Sequence, residues 1–418
     1  MGPILFVGCG QDKDKEIGAK KKPLITFWHW WTDRQSILEE FADQYEEETG
    51  VKVKFVLSSP SGDLYKNKLQ AAALSSTLPD IIGVWGGGEF LARYINAGHI
   101  SNLTDEMEEG WKDRFFPEAI KRGSYQDGNQ WGVIPGTYAV PLTVMNIQIF
   151  YNKRLFEKAG LDPMNPPATW EEFIAAGRKL RAKGIAPFTA GFGDLGLAEW
   201  FLNSYAWSFL GEDNVRATWV GERSYVSPEW EAAFDKFVEM RDNEMFIEGI
   251  AIMSNKQSEQ AFANGLAAMA MNGSWAVNVY YQMNPDLEYD VMSFPQDTEA
   301  ANPVLLFGGT GICAAVNGKS SQKLEAIKFL KWFTDKERQI EYVEKAHTLS
   351  ANRNVIDGLS PVLAKFAKGM ERIIPDLEVE EKNEVREVLR KGIQSIIIGE
   401  KTSIKVLEEA QRLKDKLE

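Results

Sequence analysis

Between Leu24 and Trp85 two hydrophobic periods take turns, and that alternation leaves very few architectures open. Leu24-Ile25-Thr26-Phe27-Trp28 is a β-rich run directly after Pro23. Thr32-Asp33-Arg34-Gln35 has the spacing of a capping box and predicts a helix start. Ile37, Leu38, Phe41 and Tyr45 then fall on one helical face, and Gly50 stops the helix. Val51 to Val56 alternates as a half-buried strand, a helix is expected over about 63–76, and Ile81 to Trp85 reads as a buried strand after Pro79-Asp80. Strand, helix, strand, helix, strand in this order means a mostly parallel sheet covered by helices. The pattern continues in an α/β sense. Thr169-Trp170-Glu171-Glu172 is a second capping box, with Trp170, Phe173, Ile174, Gly177 and Leu180 on one face. Leu324, Ile327, Leu330 and Phe333 mark a further helix, and the stretch beyond Pro361 reads as helical with Gly399 punctuating it.

At 418 residues the chain has room for two to three domains or one large bilobal body. The 47 Lys and Arg against 60 Asp and Glu leave a formal charge of −13. An acidic surface repels a phosphate backbone, so nucleic acid is not an expected partner. No apolar run reaches the roughly 18 residues of a membrane span. Thirteen tryptophans are an excess. Flat apolar sugar faces stack on flat rings, so that excess fits a carbohydrate-binding surface.

Catalytic constellations are sparse. His29, His99 and His347 lack metal-type spacing. No C-x-x-C pair and no G-x-S-x-G elbow occurs. Gly309-Thr310-Gly311-Ile312-Cys313-Ala314 matches a dinucleotide fingerprint in letters, but the residues after it continue as a strand to Asn317-Gly318 rather than opening a helix. Gly318-Lys319-Ser320 lacks the glycine that begins a phosphate loop. No cofactor is therefore expected. Carboxylates are plentiful, so a glycosidase pair stays open on count alone.

Four segments, taken in order, resemble the solute-binding proteins of ABC sugar importers, in the branch that includes the maltose-binding protein. They are Leu24 to Thr32; Leu78 to Gly86 with Tyr94 to Gly98 and Leu103-Thr104; Trp131 to Pro135 with Ile149 to Lys153 and Ala168 to Glu172; and Gly265 to Trp275 with Gly308 to Ile312. The resemblance covers about residues 23–355. It implies a periplasmic-binding-protein-like fold of two α/β lobes with a hinge and an interlobe ligand cleft. The first lobe is expected to comprise 23–141 plus 289–333, and the second 142–288 plus 334–418. Crossings are then expected near 141–146, near 286–289 and just after Phe333.

The same resemblance implies an oligosaccharide captured in the cleft and handed to a membrane ABC permease by a monomeric receptor that performs no chemistry. Its candidate ligand-binding residues are Trp275, Trp85, His29, Trp30, Glu89, Asp194, Trp200, Tyr138, Gly309 and Thr310, with Asn352 and Arg353 as weaker additions. Arg386 stands near a position where the maltose-binding protein carries a stacking aromatic, a departure that argues against maltose itself. A two-lobed glycoside-active enzyme, and the same fold serving a polyamine or sugar phosphate, are the competing readings. At the N-terminus, Val7-Gly8-Cys9 follows a short apolar stretch and precedes a charged run to Lys22. This resembles the end of a bacterial lipoprotein signal, with Cys9 as the lipidated residue, residues 1–22 as truncated signal and tether, and a cell-surface or periplasmic location.

Overall fold

The structure, a computed structural model, describes Gly2 and residues 23–58, 62–355, 359–374 and 381–417. The lipidation expected at Cys9 lies outside the described residues.

Two sheets organise the chain. The first has five strands. Leu24–His29 lies parallel to Lys52–Leu57 on one side and to Ile81–Val84 on the other, and Cys313–Val316 and Val140–Pro141 complete it antiparallel. This is the parallel arrangement that the alternating periods imply. The second sheet is built on the ten-residue strand Thr143–Asn152. That strand pairs antiparallel with Tyr289–Met292 and Ala267–Gly273, and Ala267–Gly273 in turn pairs parallel with Ala186–Thr189. Gly308–Thr310 and Leu349–Ser350 join its first residues.

Sheet membership redraws two expected boundaries. The chain leaves the first sheet at Pro141 and enters the second at Thr143, inside the expected interval. The second boundary moves: Tyr289–Met292 pairs with Ile149–Asn152, so 289 still belongs to the second sheet and the chain regains the first only at Cys313. The third boundary also moves. Helix Lys336–Ala346, assigned to the second lobe by sequence, stays against the first. Its Tyr342 packs on Phe41 and Phe333, and its Lys345 pairs with Glu40. The return comes at Leu349–Ser350.

Local signals decide the helices with one exception. Thr169 caps helix Trp170–Ala182 through its side chain, and Glu172 bonds back to the Thr169 and Ala168 amides, so the second capping box forms as read. The first does not. That helix runs Gln35–Thr49 with Arg34 at its N-cap and no side-chain cap bond: it begins past Thr32, and Gln35, the other member of the box, donates instead to Glu39 and to the Phe55 carbonyl. Gly50 ends it in a left-handed conformation. The tail forms helices Pro361–Gly369, Asn383–Ile397 and Ser403–Leu417. Among the described residues, no helix is long and apolar enough to cross a membrane.

The core is continuous across the join. Ile25, Phe27, Phe41 and Phe55 of the first lobe belong to the same buried cluster as Phe150, Phe262, Tyr280 and Phe366 of the second.

Candidate functional site

Strand alternation sorts the residues at the end of the first strand. Ile25, Phe27 and His29 share one face, and all three are buried. His29 stacks on Trp31 at 4.9 Å and accepts a hydrogen bond at Nδ1 from the Trp31 amide. It is therefore a core residue of the first lobe rather than a ligand contact. Burial pushes its imidazole down to about 4. The unfolded chain takes up this proton near pH 6.5 and the folded chain only near pH 4. The native contribution is thus complete above pH 6.5 and lost as the pH falls toward 4, about 3 kcal/mol in all. Urea midpoints at pH 7.5 and 4.5 should show this loss in the wild type and a smaller one in His29→Gln.

Trp30 leaves that face. Its ring stacks on Trp85 with centroids 3.8 Å apart, and Tyr65 closes the group from the side. Gly83 makes room for it: a Cβ there would stand 3.2 Å from the Trp30 ring and 3.1 Å from that of Trp31. Both Trp30 and Trp85 remain half-buried, so part of this double indole is open.

The second lobe carries a matching group. Trp200 stacks on Phe307 at 4.4 Å with planes 8° apart, and Trp275 stands edge-on to Trp200 at 6.5 Å. Trp275 immediately follows strand Ala267–Gly273 and Ser274, and its ring lies where a Cβ on Gly273 would be. All three rings are half-buried. Trp30, Trp85 and Trp275 follow the carboxyl ends of their strands, where open α/β sheets bind ligands, while Trp200 stands in helix Leu195–Leu210 and Phe307 directly precedes strand Gly308–Thr310.

One side chain bridges the two groups. Arg122, at the end of helix Pro117–Lys121, lies along the backbone of Gly86 next to Trp85, and its guanidinium stands 6.0 Å over the Phe307 ring. Gly86 has φ +106 and Gly87 donates its amide to the Arg122 carbonyl. The close backbone approach that these glycines permit is made by Arg122. Further contacts join the lobes. Asn278 Nδ2 donates to the Asp33 carboxylate at 2.9 Å, Gln282 donates to the Asp33 carbonyl at 3.0 Å, and Asn383 bonds Glu89.

The charges are mostly matched. Glu89, in the first turn of helix Gly88–Asn96, pairs with Arg93. Burial opposes the charge on Glu199, but Arg386 at 2.8 Å and Arg390 at 2.9 Å hold its carboxyl below the usual range. Burial likewise opposes the charge on Asp33, and Arg34 with Asn278 more than offsets it. Glu259 goes the other way: burial lifts its carboxyl despite Lys256 at 2.9 Å.

Of the remaining expected residues, Tyr138 is buried in the first lobe and donates to the Ile134 carbonyl, a packing position. Thr310 is buried with its hydroxyl on the Ala119 carbonyl, so it holds backbone together. Asp194 is exposed but accepts the Asn255 amide at 2.7 Å, fixing one loop to the next helix. Gly309 has φ +118 and open space beside it. Asn352 is buried on the Thr334 carbonyl, and Arg353 is exposed with its amide on the Arg114 carbonyl. Arg386 is an ion-pair partner, not a stacking surface. Phe307 and Arg122 were missed by sequence, since neither sits in a motif. Away from all of this, a depression of about 390 Å³ on the second lobe is lined by Arg181, Phe246, Ile250 and Ile398 among others.

The family model for bacterial extracellular solute-binding proteins matches residues 40–369, well over half of the chain. The chain belongs to that family. The multiple sugar-binding protein of Streptococcus mutans is 24% identical over 82% of this chain and 78% of the relative. The diacetylchitobiose binding protein of Streptomyces coelicolor is 25% identical over 78% of this chain and 74% of its own. A solved chitin oligosaccharide binding protein superposes with a TM-score of 0.78 at 24% identity, covering 94% of this chain and 98% of that one. This solute-binding protein therefore has the two-lobed fold that the resemblance implies.

Proposed function

We propose that the protein binds an oligosaccharide between Trp30 and Trp85 on the first lobe and Trp200, Phe307 and Trp275 on the second, and presents it to an ABC permease. The observation that carries this reading is the pair of half-open aromatic groups on opposing lobes. Rings offer area and little conformational entropy cost, which suits the apolar faces of sugars. Membership of an extracellular solute-binding family and the sugar-binding relatives support it. Lobe closure would bury the ligand and form one composite surface for the permease. Cys9, if lipidated, would keep a monomeric receptor at the membrane.

Binding without hydrolysis is favoured by the state of the nearby acids. A glycosidase needs one carboxyl kept protonated as general acid. Glu199 is held ionised by two arginines, and Glu89 is engaged by Arg93 and Asn383. Glu259, whose carboxyl is lifted by burial, is fully enclosed with its oxygens taken by Lys256, Asn255 and Asn272.

A thermal-shift screen against oligosaccharides of different linkage tests the proposal. A true ligand at about 100 times its dissociation constant should add roughly 2.7 kcal/mol of stability and be recovered intact. No shift with any sugar, or shorter products in the same tubes, would refute it.

A further inference from the structure

We infer that Arg122 selects an acidic sugar: the ligand carries a carboxylate, as in a uronic-acid unit, that docks on this guanidinium. The inference rests on the sugar-binding reading above and adds the chemical class of the ligand.

Its basis is an imbalance of charge in the cleft. Asp33, Glu89 and Glu199 each have an arginine partner, and Lys256 has Glu259. Among the described residues, no carboxylate pairs with Arg122, and no acceptor takes a hydrogen bond from its guanidinium. The side chain is nonetheless half-buried and fixed. Its aliphatic stem lies on the Gly86 backbone, where a Cβ would stand 2.8 Å from Cγ, and its head lies over Phe307. A guanidinium has five N–H donors in a planar fork that matches a carboxylate through two parallel bonds. Here the fork is held in place by packing while its donors are unused. The ring below leaves the edges of the plane free to donate.

A partly desolvated cation gains most from a ligand that brings the counter-charge. A neutral hydroxyl would satisfy one donor at a time and leave the charge unbalanced. The position also suits a sugar: Arg122 touches the backbone beside Trp85 from the first lobe and Phe307 from the second, so a ring stacked on either group passes the fork. A carboxylate reaching Arg122 would contact both lobes' binding surfaces at once.

The test is titration calorimetry with matched pairs of oligosaccharides that differ only in a glucuronosyl or a glucosyl unit, on the wild type and on Arg122→Gln and Arg122→Lys. The wild type should prefer the acidic member by at least about tenfold, and that preference should shrink as salt is raised. Arg122→Gln should cost the acidic member at least about tenfold more than the neutral one and so abolish the preference, with Arg122→Lys in between. Equal or tighter binding of the neutral members by the wild type would overturn the assignment and leave the sugar-binding reading standing. An equal loss for both members in Arg122→Gln would also overturn it, assigning Arg122 to cleft packing. Failure of every sugar in every variant would refute the parent reading instead.

Discussion

Trp275→Ala should lose most of its response to a saturating oligosaccharide while its ligand-free stability changes far less. The ring is half-exposed, edge-on to Trp200, at the tip of a central strand. Truncating an aromatic anchor at the centre of a binding surface costs about 2 kcal/mol, or roughly thirtyfold in affinity. At a ligand concentration of about 100 wild-type dissociation constants, the stabilisation would then fall from roughly 2.7 to about 0.9 kcal/mol. The thermal-shift screen reads this directly, and urea unfolding without ligand supplies the control. An undiminished ligand shift would mean that the ring serves only to cover Gly273.

The second large effect concerns stability rather than binding. Lys414 and Glu381 form a sealed ion pair at 2.7 Å, with side-chain exposures of 1% and 2%. Tyr225 donates its hydroxyl to the same carboxylate, and Lys414 also donates to the Trp219 carbonyl. Lys414→Met removes the cation and strands Glu381 in the interior, which should destabilise the protein by about 3–5 kcal/mol. Adding Glu381→Gln should restore much of that loss, because a neutral amide still accepts from Tyr225 and no buried charge remains. Urea midpoints of the single and double variants decide it. A single variant as stable as the wild type would mean that water reaches Glu381.

The pair shows how local pattern and tertiary partner divide the explanation. Val406, Leu407, Ala410 and Lys414 share the buried face of helix Ser403–Leu417. Their spacing places a lysine in the core, but nothing in the spacing names Glu381 as its partner. The same division runs through the candidate site. His29 has the parity of Ile25 and Phe27, so its burial is legible in the strand period even though it stands in the motif after the strand. The failed cap at Thr32-Asp33-Arg34-Gln35 was not legible, because Gln35 turns to the Phe55 carbonyl on the next strand instead of back to Thr32.

Sequence by itself determined the three parallel strands of the first sheet, the cap at Thr169, the left-handed stop at Gly50 and the tryptophans that follow strand ends. The cap, the stop and the strand-end tryptophans depend on residues within a few positions of one another, where short-range sterics and hydrogen bonding suffice, and the parallel strands follow from the order of neighbouring strand and helix periods. Only the tertiary structure decided that Tyr289–Met292 stays with the second sheet, that Lys336–Ala346 stays with the first lobe, and that Arg122 lies between Gly86 and Phe307. Those outcomes turn on contacts between residues distant in the chain, in several cases between segments that carry no motif, where the free energy of packing selects the partner and no local periodicity records it.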